Sequence, residues 1–84
     1  MRYSLKIKQS AFKELQRLDK KERIRVVTAI DQLKENPHIG KLLKGELCGL
    51  RRIRSGNYRV IYEINDEEVL ILVLRIAHRK QVYR

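Results

Sequence analysis

"LRRIRSGNYRVIYEI" (Leu50–Ile64) is the stretch on which the fold turns. Apolar and polar residues alternate on both sides of Gly56-Asn57, the pattern of two strands joined by a two-residue turn. With that turn, Ser55 lies opposite Tyr58, Arg54 opposite Arg59, Ile53 opposite Val60 and Arg52 opposite Ile61. Side chains alternate across a strand, so Ile53 shares one face with Tyr58, Val60, Tyr62 and Ile64, and Arg52, Arg54 and Arg59 share the other. A slip of one residue would bury the charges, which fixes the register. Like charges facing one another on a sheet repel, so a sheet built only for stability has little reason to keep three arginines together. Weighed against a solvated basic face interspersed with acids such as Glu63, an anion-binding role is expected.

Working outward from the hairpin, "VLILVL" (Val69–Leu74) continues into a third strand over Val69–Ala77, after a reversal at Asn65-Asp66. This run is apolar on both parities, so its faces are not assigned by pattern. Toward the N-terminus, "HIGKLLKGELCG" (His38–Gly49) breaks every period and is expected to be a connector with one helical turn at Lys41–Leu43. Before it, Val26, Val27, Ile30 and Leu33 mark the buried stripe of a helix that Asp19 and Glu22 open as a capping box and Asn36-Pro37 closes. Ala11, Phe12, Leu15 and Leu18 mark an earlier helix, with Ser10 as its expected cap. Tyr3, Leu5 and Ile7 alternate as a first strand. The order β-α-α-β-β-β predicts an α+β domain spanning residues 1–84, with a helical hairpin on one face of a mainly antiparallel four-stranded sheet.

The formal net charge is +10, with 36% charged and 43% hydrophobic residues, a soluble globule rather than a disordered polyelectrolyte. Residues 41–62 carry six positive charges and one negative, and residues 75–84 carry four positive and none negative. Such concentration predicts a polyanionic partner, nucleic acid or an acidic protein segment, ahead of a membrane surface. No run is long enough to span a membrane and no signal peptide is seen. The single cysteine, Cys48, excludes an internal disulfide and suits a reduced, cytoplasmic compartment.

Metal chemistry is poorly supported, because Asp66, Glu67 and Glu68 cluster in a turn and His38 and His78 lack ligand spacing. Metal-free RNA cleavage remains open to this composition. The ribose 2′-OH attacks the adjacent phosphate, leaving a 2′,3′-cyclic phosphate and a free 5′-OH. Such a site must align the attack, neutralise growing charge and move two protons. Arginines meet the second need. Tyr83 is a candidate for the third, once cations lower its pKa from about 10, and His78 is either a phosphate contact, a proton-transfer group or a bystander.

Taken together, "GNYRVIYEI" and the later "LRIAHRKQVYR" resemble the RelE/ParE superfamily of toxins, the RelE branch most nearly. The resemblance covers essentially the whole chain. It implies the toxin of a toxin–antitoxin pair: a ribosome-dependent endoribonuclease that cuts messenger RNA in the ribosomal A site with no metal or cofactor. Its implied partners are a cognate antitoxin protein and the ribosome with bound messenger RNA, with no membrane role. By position, Arg59 resembles the arginine that stabilises the phosphate transition state, Arg79 the C-terminal catalytic arginine and Tyr83 the proton-transferring tyrosine. Arg52 matches a basic strand position implicated in phosphate contact and proton transfer. Arg51, Arg54, Lys41 and Lys44 are expected to contact RNA around this centre, as are His78, Lys80 and Arg84 in the tail. Leu50 stands where the best-known member has a second lysine, which implies that base chemistry is distributed differently. A ParE-like gyrase poison and a non-catalytic RNA-binding module remain the competing readings.

Overall fold

A computed structural model describes residues 2–80. Strand β1 (Ser4–Ile7) leads into helix α1 (Gln9–Gln16) and helix α2 (Lys20–Gln32). Strands β2 (Lys41–Leu42), β3 (Arg51–Ser55), β4 (Tyr58–Asn65) and β5 (Leu70–His78) follow, and the sheet runs β1-β5-β4-β3-β2. The expected α+β class holds, but among the described residues the sheet has five strands rather than four. Its N-terminal strand pairs parallel with β5, and the other neighbours are antiparallel.

The hairpin register is the one that parity dictates: Arg54 opposite Arg59, Ile53 opposite Val60, Arg52 opposite Ile61. Gly56 takes φ 58 at the first central turn position, a conformation glycine adopts without a Cβ penalty. The main hydrophobic cluster lies on the face that the helices cover. Val60, Tyr62, Ile71, Val73 and Ile76 pack there against Ala11, Leu15 and Leu18 of the first helical segment and Val26, Ile30 and Leu33 of the second. Fully burying each large aliphatic side chain contributes about 1.5–3 kcal/mol.

Strand β5 resolves the ambiguity of its apolar run with a bulge. Ile61 pairs with Arg75 but Tyr62 pairs with Val73, so Leu74 is an extra residue. Val73 and Ile76, three apart, thereby reach the same core. The strand starts at Leu70 rather than Val69, because Val69 closes the reversal with φ 53.

Local expectations fail where exposure competes with pattern. Helix α1 starts at Gln9 with Lys8 as its N-cap, leaving Ser10 inside the first turn. Phe12 is 47% exposed and Val27 46%, so neither belongs to the buried stripes assigned to it. Asp19 does cap α2, accepting the Glu22 N–H at 2.9 Å, while the Glu22 carboxylate lies 3.7 Å from Arg25.

The connector differs most. Instead of a helical turn at Lys41–Leu43, short 3-10 turns occupy Pro37–Ile39 and Gly45–Leu47, and Lys41–Leu42 is an edge strand. The cause is a buried polar latch. The Tyr62 hydroxyl donates to the Pro37 carbonyl at 2.6 Å and accepts the Gly40 N–H at 3.0 Å. Arg51 adds hydrogen bonds to the carbonyls of Gly40 (2.8 Å) and His38 (3.3 Å). The chain is thus delivered beside β3 in extended form, where Lys41 pairs with Arg52 and Leu42 with Arg51. Burial pushes the Tyr62 hydroxyl pKa up, partly opposed by the Gly40 N–H and the Arg51 charge.

Tyr3 ties β1 to the acidic reversal, its hydroxyl donating to Asp66 at 2.7 Å, and this carboxylate raises the Tyr3 pKa. Asp66, Glu67 and Glu68 are exposed, as expected of a solvated turn. Among the described residues, no helix is long and apolar enough to cross a membrane.

Candidate functional site

The sheet face turned away from the helices carries the charge. Arg52 and Arg54 project from β3 and Arg59 from β4, on the parity opposite to the core residues Val60 and Tyr62. Ile61 and Ala77 lie on this outer parity too and are buried, 3% and 1% exposed. Arg52 is the cross-strand partner of Ile61, and Arg59 of Ala77. The arginines therefore flank an apolar floor, and the Nε atoms of Arg52 and Arg59 are themselves buried. Charges against a low-dielectric floor act on an incoming anion more strongly than the same charges in water.

Arg79 reaches this face from the end of β5. Its backbone N–H donates to the Asn57 carbonyl at 2.7 Å, which fastens the start of the tail to the hairpin turn. Arg54, Arg59 and Arg79, with Gly56 and Tyr58, line a cleft of about 200 Å³. None of these lining residues is acidic. Three guanidinium groups around one concavity supply forked donors that match phosphate oxygens from several directions.

Lys41, opposite Arg52 on the edge strand, extends the basic row by one position. Lys44 is exposed in the connector, just before the Gly45–Leu47 turn. Lys80 is exposed, its N–H donating to His78 Nδ1 at 3.2 Å. Tyr83 and Arg84 lie outside the described residues.

Two assignments move. Arg51 shares the parity of Ile53, not of Arg52, and its guanidinium holds the connector carbonyls described above; its geometry is that of a structural clamp. His78 sits on the helix side, opposite Tyr58, with the two rings edge-to-face at 5.3 Å and 83°. It lines a separate cleft with Glu14, Arg17, Leu18 and Ile76, because it has the parity of Ile76 while Arg79 crosses to the other face. The residue that sequence reasoning missed is Tyr62, whose latch sets the position of Lys41. The available signal was chemical, since a tyrosine in a core needs a partner for its hydroxyl.

No three His, Cys, Asp or Glu side chains converge among the described residues in a way that could hold a metal ion. The guanidinium groups of Arg54, Arg59 and Arg79 give the cleft the means to neutralise charge on an anion.

Residues 5–83 match the family model described as the ParE toxin of type II toxin-antitoxin systems, parDE. A protein named Toxin RelG from Mycobacterium tuberculosis is 35% identical, with 100% of this chain and 99% of that protein aligned. A protein named mRNA interferase toxin RelE from Escherichia coli is 29% identical over 96% of this chain and 87% of its own length. Among solved structures, a chain of the toxin-antitoxin complex RelBE2 from Mycobacterium tuberculosis superposes with a TM-score of 0.87 at 32% identity. That match covers 94% of this chain and 100% of the other.

Proposed function

The chain belongs to the ParE toxin family of type II toxin–antitoxin systems, as a RelE-like member, and from that premise we propose that it is a ribosome-dependent endoribonuclease. Its substrate is messenger RNA in the ribosomal A site. The observation that carries this reading is the gathering of Arg54, Arg59 and Arg79 around one cleft at the turn end of the β3–β4 hairpin.

The scissile phosphate sits in the arginine cleft. The 2′-OH of the preceding ribose loses its proton and attacks phosphorus. The P–O5′ bond breaks, the 5′-oxygen takes up a proton, and a 2′,3′-cyclic phosphate remains. Arg59 and Arg79 stabilise the charge that grows on the non-bridging oxygens, and removing one such donor typically costs about 10²–10³ in rate. Arg52 contacts the phosphate from the neighbouring position on β3. Tyr83 moves a proton. Lys41, Lys44, Lys80 and Arg84 contact the backbone beyond the cleft. Few conventional bases are available, so rate depends on a substrate held in line by the ribosome.

The proposed partner in the resting state is a cognate antitoxin, as in the toxin-antitoxin complex of the solved relative. An acidic segment over the cationic face, with an apolar anchor, makes its binding partly salt-sensitive.

Purified protein incubated with programmed ribosomes, followed by mapping of messenger RNA ends, tests the proposal. Cuts at the A-site codon that disappear in Arg59→Ala and Arg79→Ala support it. Intact RNA together with arrested DNA gyrase points instead to a ParE-like poison, and RNA binding with neither outcome to a non-catalytic module.

A further inference from the structure

The arginine cleft does not end at the hairpin. Tyr58 lines it on one side and, on the other, lines the helix-side cleft of about 380 Å³ that contains His78 and Arg17. That second cleft shares Arg17 and Glu14 with a third concavity, of about 450 Å³, which runs along α1 between Lys8, Lys13 and Arg75. Neighbouring concavities therefore share lining residues, first Tyr58 and then Arg17 with Glu14.

Charge along the line is almost entirely of one sign. The third concavity is lined by Lys8, Lys13, Arg17 and Arg75 against one acid, Glu14. That carboxylate is already engaged, accepting the Ile76 N–H at 2.9 Å and Arg75 Nε at 3.4 Å. Lys8, Lys13 and Arg17 are exposed. Core packing does not require these three exposed cations, Lys13 within α1 and Lys8 and Arg17 at its two ends. Between the two basic stretches stand the Tyr58 and His78 rings. Cations tracking a backbone, with aromatic rings that accept bases, are the physical requirements of single-stranded nucleic acid.

We propose that this is a continuous track for single-stranded RNA: the strand leaves the arginine cleft, turns at Tyr58, where a base stacks, and lays its next phosphates along Arg17, Lys13 and Lys8. An acidic peptide meets the cations equally well but has no use for the rings, so RNA is favoured. The inference rests on the reading of the arginine cleft as an RNA site, and gives the toxin a grip on message beyond the cleaved codon.

The test uses two RNAs with a 2′-O-methyl sugar at each position to block cleavage, one of about four nucleotides and one of about twelve. Binding is measured by fluorescence anisotropy across a salt series. The triple variant Lys8→Ala/Lys13→Ala/Arg17→Ala is expected to bind the short strand like the wild type and the long strand about tenfold more weakly. Its salt slope for the long strand falls by about 2, since each phosphate contact on a single strand is worth about 0.7. A 2-aminopurine in the long strand is quenched by the wild type and less so by Tyr58→Leu. Unchanged long-strand affinity in the triple variant, with short-strand binding intact, overturns the track alone. Failure of the wild type to bind the short strand overturns the arginine-cleft reading itself. A polyglutamate peptide that outcompetes the long RNA in a manner dependent on the three cations overturns RNA as the occupant.

Discussion

Arg54 and Arg59 stand directly opposite one another across the β3–β4 ladder, two like charges at the closest cross-strand position, beside Arg79. The pair works against the fold that carries it. Cross-strand like charges destabilise by a few tenths to about 1 kcal/mol, a cost that salt reduces. Arg54→Gln is therefore expected to raise stability by about 0.5 kcal/mol at low ionic strength while lowering A-site cleavage. Urea denaturation at two salt concentrations, beside the ribosome assay, checks both halves. A variant less stable at low salt would show that Arg54 is held by attractions stronger than this repulsion.

Neighbouring arginines on β3 should separate stability from activity. Arg51 donates to the Gly40 and His38 carbonyls, so Arg51→Ala is expected to cost about 1–2 kcal/mol of folding stability. Cleavage per folded molecule should change little. Arg52 faces the other way, and Arg52→Ala is expected to reduce cleavage by tenfold or more with folding retained. Thermal melts and single-turnover cleavage on matched samples resolve the two. The opposite pairing of effects would exchange their roles.

How much of this was legible beforehand depends on how many faces of a strand are buried. The β3–β4 register followed from parity because Arg52, Arg54 and Arg59 share one face, and a shift by one would have buried them. Val69–Leu74 gave no such signal, being apolar on both parities. Its answer, a bulge at Leu74, depends on β1 and β4 pairing from either side. The same gap hid which way His78 points. The edge strand at Lys41 was unreadable for another reason: a two-residue strand has no period, and this one exists because Tyr62 and Arg51 hold Pro37–Gly40 from a distance in sequence. Arg51 itself was readable, since its parity with Ile53 already placed it on the helix side.

The Tyr62 latch makes a graded prediction. Tyr62→Phe leaves the buried Gly40 N–H and Pro37 carbonyl without the hydroxyl, at a cost of about 1–3 kcal/mol. Gly40→Ala should be worse. A Cβ there would run into the hydroxyl and sit 2.8 Å from ring atom Cε1, so the ring or the connector must shift. Urea midpoints should order wild type, Tyr62→Phe, Gly40→Ala from most to least stable. Gly40→Ala as stable as wild type would mean that the connector is loosely held.

Alkaline pH should weaken the same latch. Burial raises the Tyr62 pKa above the ordinary 10.0, so the folded state holds the phenolic proton more tightly than the unfolded state does. Its contribution is complete below about pH 10 and is lost as pH rises through the folded value. Other tyrosines and lysines titrate in this range, so the informative quantity is the stability difference between wild type and Tyr62→Phe. That difference is expected to be constant up to about pH 9 and to shrink above about pH 10. A gap that widens instead would mean that the folded state prefers the phenolate.

Arg59→Lys asks whether the site needs charge or shape. Arg59 lies across from Ala77 on the apolar floor, with its Nε buried, and lines the cleft with Arg54 and Arg79. Lysine keeps the charge but replaces a rigid fork by one compact ammonium on a flexible stem. If Arg59 stabilises the transition state through two donors aimed at the non-bridging oxygens, lysine should lower kcat by about 10²-fold, with KM for programmed ribosomes changed little. Alanine should fall further, by about 10³-fold. If Arg59 only attracts the backbone, lysine should instead retain kcat, and alanine should raise KM. Single-turnover cleavage at saturating and sub-saturating ribosome concentrations separates the two. A lysine variant with the full wild-type rate would remove Arg59 from the chemistry and leave it as one cation among several.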